Sequence, residues 1–527
     1  MRKVEKRQIL KNVGSSWSAL AVNVLVGIFL WPFILHHLGD TAAGIWVLIF
    51  SITGYYGLFD LGIRSSIIRY VSKYTATGEQ DNLTRFVNTS LFSYACVGAF
   101  SMVLTLLLSS YVERLFRIPS AMHRDARLLL LMVGASVSLG FPLGVFGGML
   151  EGLQRFYILN WTSIGATLAR AALIVYFLHH GYGLLTVALI TVGLPIISSI
   201  LRGFIVFRLC PVPLGPRYVD RASFRQMANY GSTTFLVIIA ARLRFRTDEL
   251  VLGGMMSAVA VTYFNIGARI VDYAQEFVSS LAQIFVPMAS QSEATGNLDR
   301  IRKIYVLGNR VCAFLTFPIT ALLIIFGKNI IRIWVGARYV PFSYPVLVIM
   351  MLGFAMMLMQ AASTRVLFGL GTHRTMAWVV TIEGIANLIL SIALVALVPN
   401  FGVMGDCIGT AIPMAATYLL FMPRHLSKQI GVPVGRFVRD AYTLPSLLTV
   451  PFVLALLFAN RLFVPQNLIQ LILEVLLVGS VYGIGLFWAY RTNRAFHVGE
   501  IAGLGTSSLP KEEPLPAAIV EYQNEEV

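Results

Sequence analysis

Charge is scarce in this chain. Asp, Glu, Lys and Arg make up 13% of its 527 residues and hydrophobic residues 57%, whereas soluble domains carry about 25% charged and 45–50% apolar residues. A water-soluble globule is thereby excluded, because it could not hide so much apolar surface. Cysteine is almost absent as well. Cys96, Cys210, Cys312 and Cys407 lie far apart without CxxC spacing, mostly inside apolar stretches, which excludes a disulfide framework, a zinc site or a redox centre. Also missing are a GxSxG, Walker or DxD-like cluster and any loop long enough for an extramembrane catalytic region, so an enzyme is not expected. The formal charge of +16 does not point to nucleic acid, since the basic residues lie between apolar runs and not on one soluble face.

What the sequence does hold is apolar runs of about 20 residues or more, each long enough for a hydrocarbon core of about 30 Å. They predict spans near 13–36, 42–68, 84–112, 126–150, 157–179, 184–209, 229–254, 258–290, 305–327, 343–370, 374–398, 404–423, 442–460 and 467–490. The expected class is an all-α polytopic membrane protein with about 14 transmembrane helices. Its expected divisions are 1–209, a basic connector 210–228, a second set of spans over 229–424, a last helix pair over 425–490 and a largely disordered tail from 491 to 527, rich in Pro and Glu. Met1 to Lys11 carries five basic residues before a run too long for a cleaved signal, so the first helix is read as retained with a cytoplasmic N-terminus. With both termini inside, about 24 basic residues fall on cytoplasmic segments and about 8 on the other side, as the positive-inside rule requires. The connector from Glu113 to Arg127, with four arginines outside, is the one departure.

The chain repeats itself. Ala76-Thr77-Gly78 and Asp81 recur as Ala294-Thr295-Gly296 and Asp299 at an offset of 218, Gly152-Leu153 as Gly369-Leu370 at 217, and Pro195 as Pro413 at 218. Three landmarks in order at one spacing imply two copies of a six-span fold. An even number of spans per copy gives both the same orientation, a transporter arrangement in which substrate binds between halves.

Leu38-Gly39, Gly44-Ile45-Trp46, Leu58-Phe59-Asp60-Leu61-Gly62 and Arg69-Tyr70 resemble the opening signature of polysaccharide transport proteins, the Wzx-type oligosaccharide flippases of the MOP superfamily. Asp248, Tyr263, Gly267-Ala268-Arg269-Ile270, Pro287, Trp334-Val335-Gly336, Gly369-Leu370-Gly371 and Gly402-Val403 extend the resemblance over about residues 10 to 425. It implies two six-helix lobes of the MOP/MATE kind in a V around a central cavity, with a C-terminal helix pair added. It also implies an undecaprenyl-pyrophosphate-linked glycan as cargo, carried across the bacterial inner (plasma) membrane for O-antigen (lipopolysaccharide), capsule or exopolysaccharide assembly. Membrane lipids and a polysaccharide polymerase are the expected partners, and nucleic acid is not. Rival readings are a lipid II flippase, an ion-coupled multidrug or metabolite antiporter of the same superfamily, a polytopic enzyme and a non-transporting scaffold. The absence of any carboxylate between Val13 and Leu35 counts against the antiporter.

Ionisable residues inside spans cost about 2.5–3.5 kcal/mol each on insertion scales and mark pathways. Asn265, Arg269, Asp272 and Glu276 fall at i, i+4, i+7 and i+11 of the eighth span, one polar stripe. Arg242, Arg246 and Glu249 share a face of the seventh, where Arg244 and Asp248 form an i,i+4 pair. Thr53, Asp60 and Arg64 form a stripe in the second, and Arg170 lies deep in the fifth. Guanidinium stays charged and grips phosphate oxygens in a bidentate fork, so Arg269, Arg64, Arg242, Arg246 and Arg170 are the candidate pyrophosphate-binding residues. The competing reading is local pairing that only stabilises packing. Asp60, Asp248, Asp272, Glu276 and Glu383 are candidates for charge pairing or for coupling to H+ or Na+, Glu383 with Asn387 one turn later. No cofactor, catalytic residue or metal centre is expected.

Overall fold

The computed structural model describes residues 6–229, 247–370, 373–398 and 402–492. Among them the regular structure is helical, with no strand. In a medium without water every backbone N–H and C=O must be satisfied within the segment, and helices do this. The predicted seventh-span arginines Arg242, Arg244 and Arg246, and almost all of the predicted tail, lie outside the described residues.

Two compact units divide the chain, residues 1–262 and 263–527. The first holds α1 (Lys6–Gly54), α2 (Ile63–Thr77), α3 (Gln80–Leu115), α4 (His123–Gly152), α5 (Phe156–His179), α6 (Leu184–Leu209), α7 (Asp248–Met255) and the first turn of α8 (Ala258–Ala282). The second continues with α9 (Phe285–Ala294), α10 (Leu298–Trp334), α11 (Val340–Leu358), α12 (Ala361–Gly369), α13 (His373–Leu397), α14 (Val403–Ala415), α15 (Met422–Ile430), α16 (Val434–Leu462) and α17 (Leu468–Arg491).

Eleven apolar stretches among the described residues are long enough to cross a membrane. One of them, Gly14–Asp60, has 47 residues, about 70 Å of helix, twice what a bilayer needs. It bends at Gly39, whose φ of 78° and ψ of 171° leave the helical region. Nothing would touch a side chain there, so glycine serves the backbone conformation and not the space. The apolar stretch therefore supplies two crossings joined at Gly39.

The second of these crossings is not one helix. A 3-10 turn spans Tyr55–Asp60, and Leu61 and Gly62 follow with φ of 49° and 74° before α2 starts. This corrects the predicted Thr53–Asp60–Arg64 stripe, because a helical face cannot run through two left-handed residues. Thr53 returns its hydroxyl to Ile49 O at 2.8 Å, while Asp60 and Arg64 stand on either side of the break.

The repeat seen in the sequence recurs within each unit. Gly78, after α2, and Gly296, after α9, both have positive φ, 75° and 65°, and each leads into a long helix, α3 of 36 residues and α10 of 37. Gly152 ends α4 pressed against Ile68 O and Val71, where an added Cβ would come within 3.0 Å of each; Gly369 ends α12 against Val286 O at 3.1 Å and Ala289. Ile68 and Val71 plus 218 are Val286 and Ala289, so the same close helix approach is built twice.

Candidate functional site

In the first unit charged side chains converge where the broken second crossing meets α3, α4 and α6. Arg64 donates through Nη2 to Glu151 Oε1 at 2.6 Å. The hydroxyl of Tyr94 on α3 donates to Asp60 Oδ1. Arg202 on α6 donates through Nε to Thr162 Oγ1 and through Nη2 to Ser163 Oγ, both at 2.8 Å. Arg202 feels the fields of Arg64 and Glu151, and Arg64 that of Asp60. The two arginines thus share one carboxylate, and only Arg64 bonds to it. Arg202 is fixed by neutral hydroxyls, which orient its fork without cancelling its charge.

A polar seam runs alongside. Asn12 bridges α1 to the start of α5 through Gln154 O at 3.0 Å and Tyr157 N at 3.2 Å. Asn160 donates to Ser15 and Ser16 hydroxyls at 3.0 Å each, and Thr167 donates to Asn23 Oδ1 at 3.1 Å. Arg170 lies one turn beyond Thr167, about 20 Å from the start of α5, partly buried, with no hydrogen-bond or ion-pair partner among the described residues. Of the two predicted cations described in this unit, Arg64 and Arg170, it is the one whose charge the protein leaves more open. Asp248 and Glu249 are buried in the first turn of α7, where a helix N-terminus favours carboxylates.

In the second unit the predicted stripe lies on one continuous helix, α8. Asn265 is buried, Arg269 partly buried, and Asp272 and Glu276 exposed. Tyr273 lies within the fields of Arg269, Glu276 and Asp272. Elsewhere in the unit Glu383, on α13, is buried with Asn387 and Ser391. Asn387 Oδ1 accepts from Ser391 Oγ at 3.0 Å and from Thr410 Oγ1 at 3.2 Å, and Ser391 Oγ donates to Asp406 O at 3.1 Å. Asp406 is fully buried on α14, so two carboxylates, an amide and two hydroxyls line the packed seam between α13 and α14. No group of three or more His, Cys, Asp or Glu that could hold a metal ion occurs among the described residues.

Three charged participants were not singled out in the sequence: Arg202, Glu151 and Asp406. Arg202 and Glu151 lie near the ends of predicted spans, where charges default to solvated positions. Asp406 sits four residues before Thr410, a spacing that puts both on one face and could have drawn attention to it.

Comparison with known proteins fits this architecture. Lipid II flippase MurJ in an inward closed conformation superimposes with a TM-score of 0.67 at 16% identity, covering 92% of this chain and 99% of that one. A multidrug resistance MATE family transporter of the MOP superfamily, inward-facing, gives 0.65 at 13% identity, covering 74% and 94%. The fold is that of the MOP superfamily. The profile described as "Polysaccharide biosynthesis protein" matches residues 9–293, more than half of the chain, and the protein belongs to that family. Among curated relatives, a Shigella flexneri protein named "Putative O-antigen transporter" is 20% identical over 416 residues, covering 78% of this chain and 96% of its own length. "Uncharacterized membrane protein EpsK" of Bacillus subtilis (strain 168) is 20% identical over 437 residues, covering 81% and 85%.

Proposed function

We propose that the protein is a flippase, not an enzyme, that moves a polyprenyl-pyrophosphate-linked oligosaccharide from the cytoplasmic to the outer face of a bacterial inner membrane by alternating access, for O-antigen, capsule or exopolysaccharide assembly. The observation that carries this reading is the surplus of guanidinium charge within membrane-spanning helices: among the described residues Arg170 has no partner and Arg202 is held only by hydroxyls. Keeping such charges in a bilayer costs about 2.5–3.5 kcal/mol each on insertion scales, and an anionic cargo offsets that cost. In the first unit planar forks at Arg64 and Arg202, with Arg170 deeper, suit pyrophosphate; in the second, Arg269 on α8 is a candidate by itself. The family membership and the O-antigen transporter relative support a glycan cargo.

Coupling to H+ or Na+ belongs to the same proposal. The Glu383–Asn387–Asp406–Thr410 seam supplies hard oxygen donors for such an ion. The distribution of basic residues supports a cytoplasmic location for both termini, and a polymerase partner against the last helix pair is compatible with flipping. A lipid II cargo is the second reading, favoured by the fold likeness to MurJ.

The test is binding in lipid nanodiscs, followed by native mass spectrometry. Undecaprenyl pyrophosphate should bind wild type and be weakened about tenfold or more by Arg202→Ala and by Arg170→Ala, the loss of one charge-assisted contact each. Equal retention by wild type and both variants would remove the arginine site. Competition by lipid II over a glycan-bearing analogue would favour the second reading.

A further inference from the structure

The helix pair α16–α17 carries a carboxyl that the transport proposal does not use. Glu474 is 8% exposed, and neither of its carboxyl oxygens has a hydrogen-bond partner among the described residues. It follows Leu471 by three residues and precedes Val478 by four, with Tyr482 two turns on. That is the face α17 packs against α10 and α16, in a cluster with Phe326, Phe452 and Leu456. The opposite face presents Ile469, Leu473, Leu476 and Leu477 outward. In a membrane span that face meets lipid, so a solvated carboxylate would belong at a helix end, yet this one is turned into the apolar seam.

The charged and polar groups that face this seam are engaged elsewhere. On α10, Lys328 sits over the Tyr344 ring at 5.1 Å, Asn329 Nδ2 donates to Asn460 Oδ1 on α16 at 2.8 Å, and Arg332 Nη2 donates to Pro465 O at 2.6 Å. On α16, Arg461 is exposed. On α17 itself, the Tyr482 hydroxyl donates to Phe314 O at 2.8 Å. None pairs with Glu474 among the described residues. Glu474 lies about 9 Å from the start of α17, where α16 turns into it, and the Asn329–Asn460 pair and Arg332 lie toward that same end. An ionised carboxylate without a partner is not sustained in such a seam, and a proton is the one partner that needs no added space.

We propose that Glu474 is a proton-binding site: its carboxyl carries a proton while α17 is packed on α10 and α16, and loss of that proton loosens α17 from the seam. The polar end at Asn329, Asn460 and Arg332 is the route by which water reaches it when the seam opens.

Two measurements on the whole protein in nanodiscs test this. Infrared difference spectra, wild type minus Glu474→Gln, should show the C=O stretch of a protonated carboxylic acid near neutral pH, shifted in D2O; carboxylate bands alone would overturn the site. Glutamine copies the shape of the neutral acid, so the variant keeps the fold. Hydrogen exchange over 468–491 should rise in wild type relative to Glu474→Gln at matched alkaline pH, whereas equal exchange would overturn the proton-controlled docking. Both signals should vanish in Glu474→Leu, which packs without a titrating group.

Discussion

Arg202 is held in place by Thr162 and Ser163, both at 2.8 Å, yet neutralised by neither. If it serves the cargo, Arg202→Lys should cut transport severalfold or more while leaving thermal stability nearly unchanged, because lysine keeps the charge and loses the planar fork. Transport and melting temperature measured on the same preparation check this. Arg64 behaves differently. Its side chain is 51% exposed beside Glu151, so a double-mutant cycle of Arg64→Ala with Glu151→Ala should return a coupling of no more than about 1 kcal/mol. A larger coupling in denaturation would make the pair structural. At this scale the sequence was legible where a charge interrupted an apolar run, as at Arg170 and Arg269. It was silent on pairing, because Arg64 and Glu151 are 87 residues apart and only the packing of α2 on α4 brings them together.

Between elements, close approach decides. An added Cβ on Gly409 of α14 would come within 2.5 Å of Ser391 N and Oγ on α13. Gly409→Val should therefore destabilise by about 1–3 kcal/mol, as overpacking does, and disrupt the buried Asn387–Ser391–Thr410 network; the melting temperature in detergent reads the effect. At the other kind of boundary, Asp220 caps the helical segment that begins at residue 221, within the predicted basic connector. Its Oδ atoms accept from Ala222 N at 3.2 Å and Ser223 N at 3.0 Å, and the Ser223 and then the Ala222 backbone N–H hold the carboxyl below its usual range. A lowered value places the stabilisation above the unfolded pKa of about 3.9, lost as pH falls through the folded one. Exchange protection of residues 221–225 should hold at neutral pH and fade only in acid, and Asp220→Ala should remove it at all pH. The connector is also tied to α3, through Asn88 to Pro213 O and Gly215 N at 2.9 Å each, and Thr89 to Asp220 N at 3.0 Å. Spans were readable from hydropathy because length and apolar content alone determine them. The break at Tyr55–Gly62 was not, since Leu61 in a left-handed conformation leaves no trace in a hydropathy pattern.

Across the whole molecule the repeat is what sequence and structure share most fully. One offset of 218 predicts Gly78 and Gly296 with the same backbone sign, and both have it. Conserving Gly152 and Gly369 in register conserves the helix approach each permits. The proposed glycan cargo rests on family resemblance, because no motif that spacing alone defines specifies a glycan. Arg242 and Arg246 lie outside the described residues, so the central claim rests on Arg64, Arg170, Arg202 and Arg269. The most direct measurement is transbilayer movement of a fluorescent undecaprenyl-pyrophosphate-linked oligosaccharide in proteoliposomes, comparing wild type with Arg170→Ala, Arg202→Ala and Arg269→Ala. The account predicts movement by wild type that falls at least tenfold in these folded variants; no movement of any polyprenyl-linked sugar by folded wild type, with uptake of an organic cation instead, would contradict it.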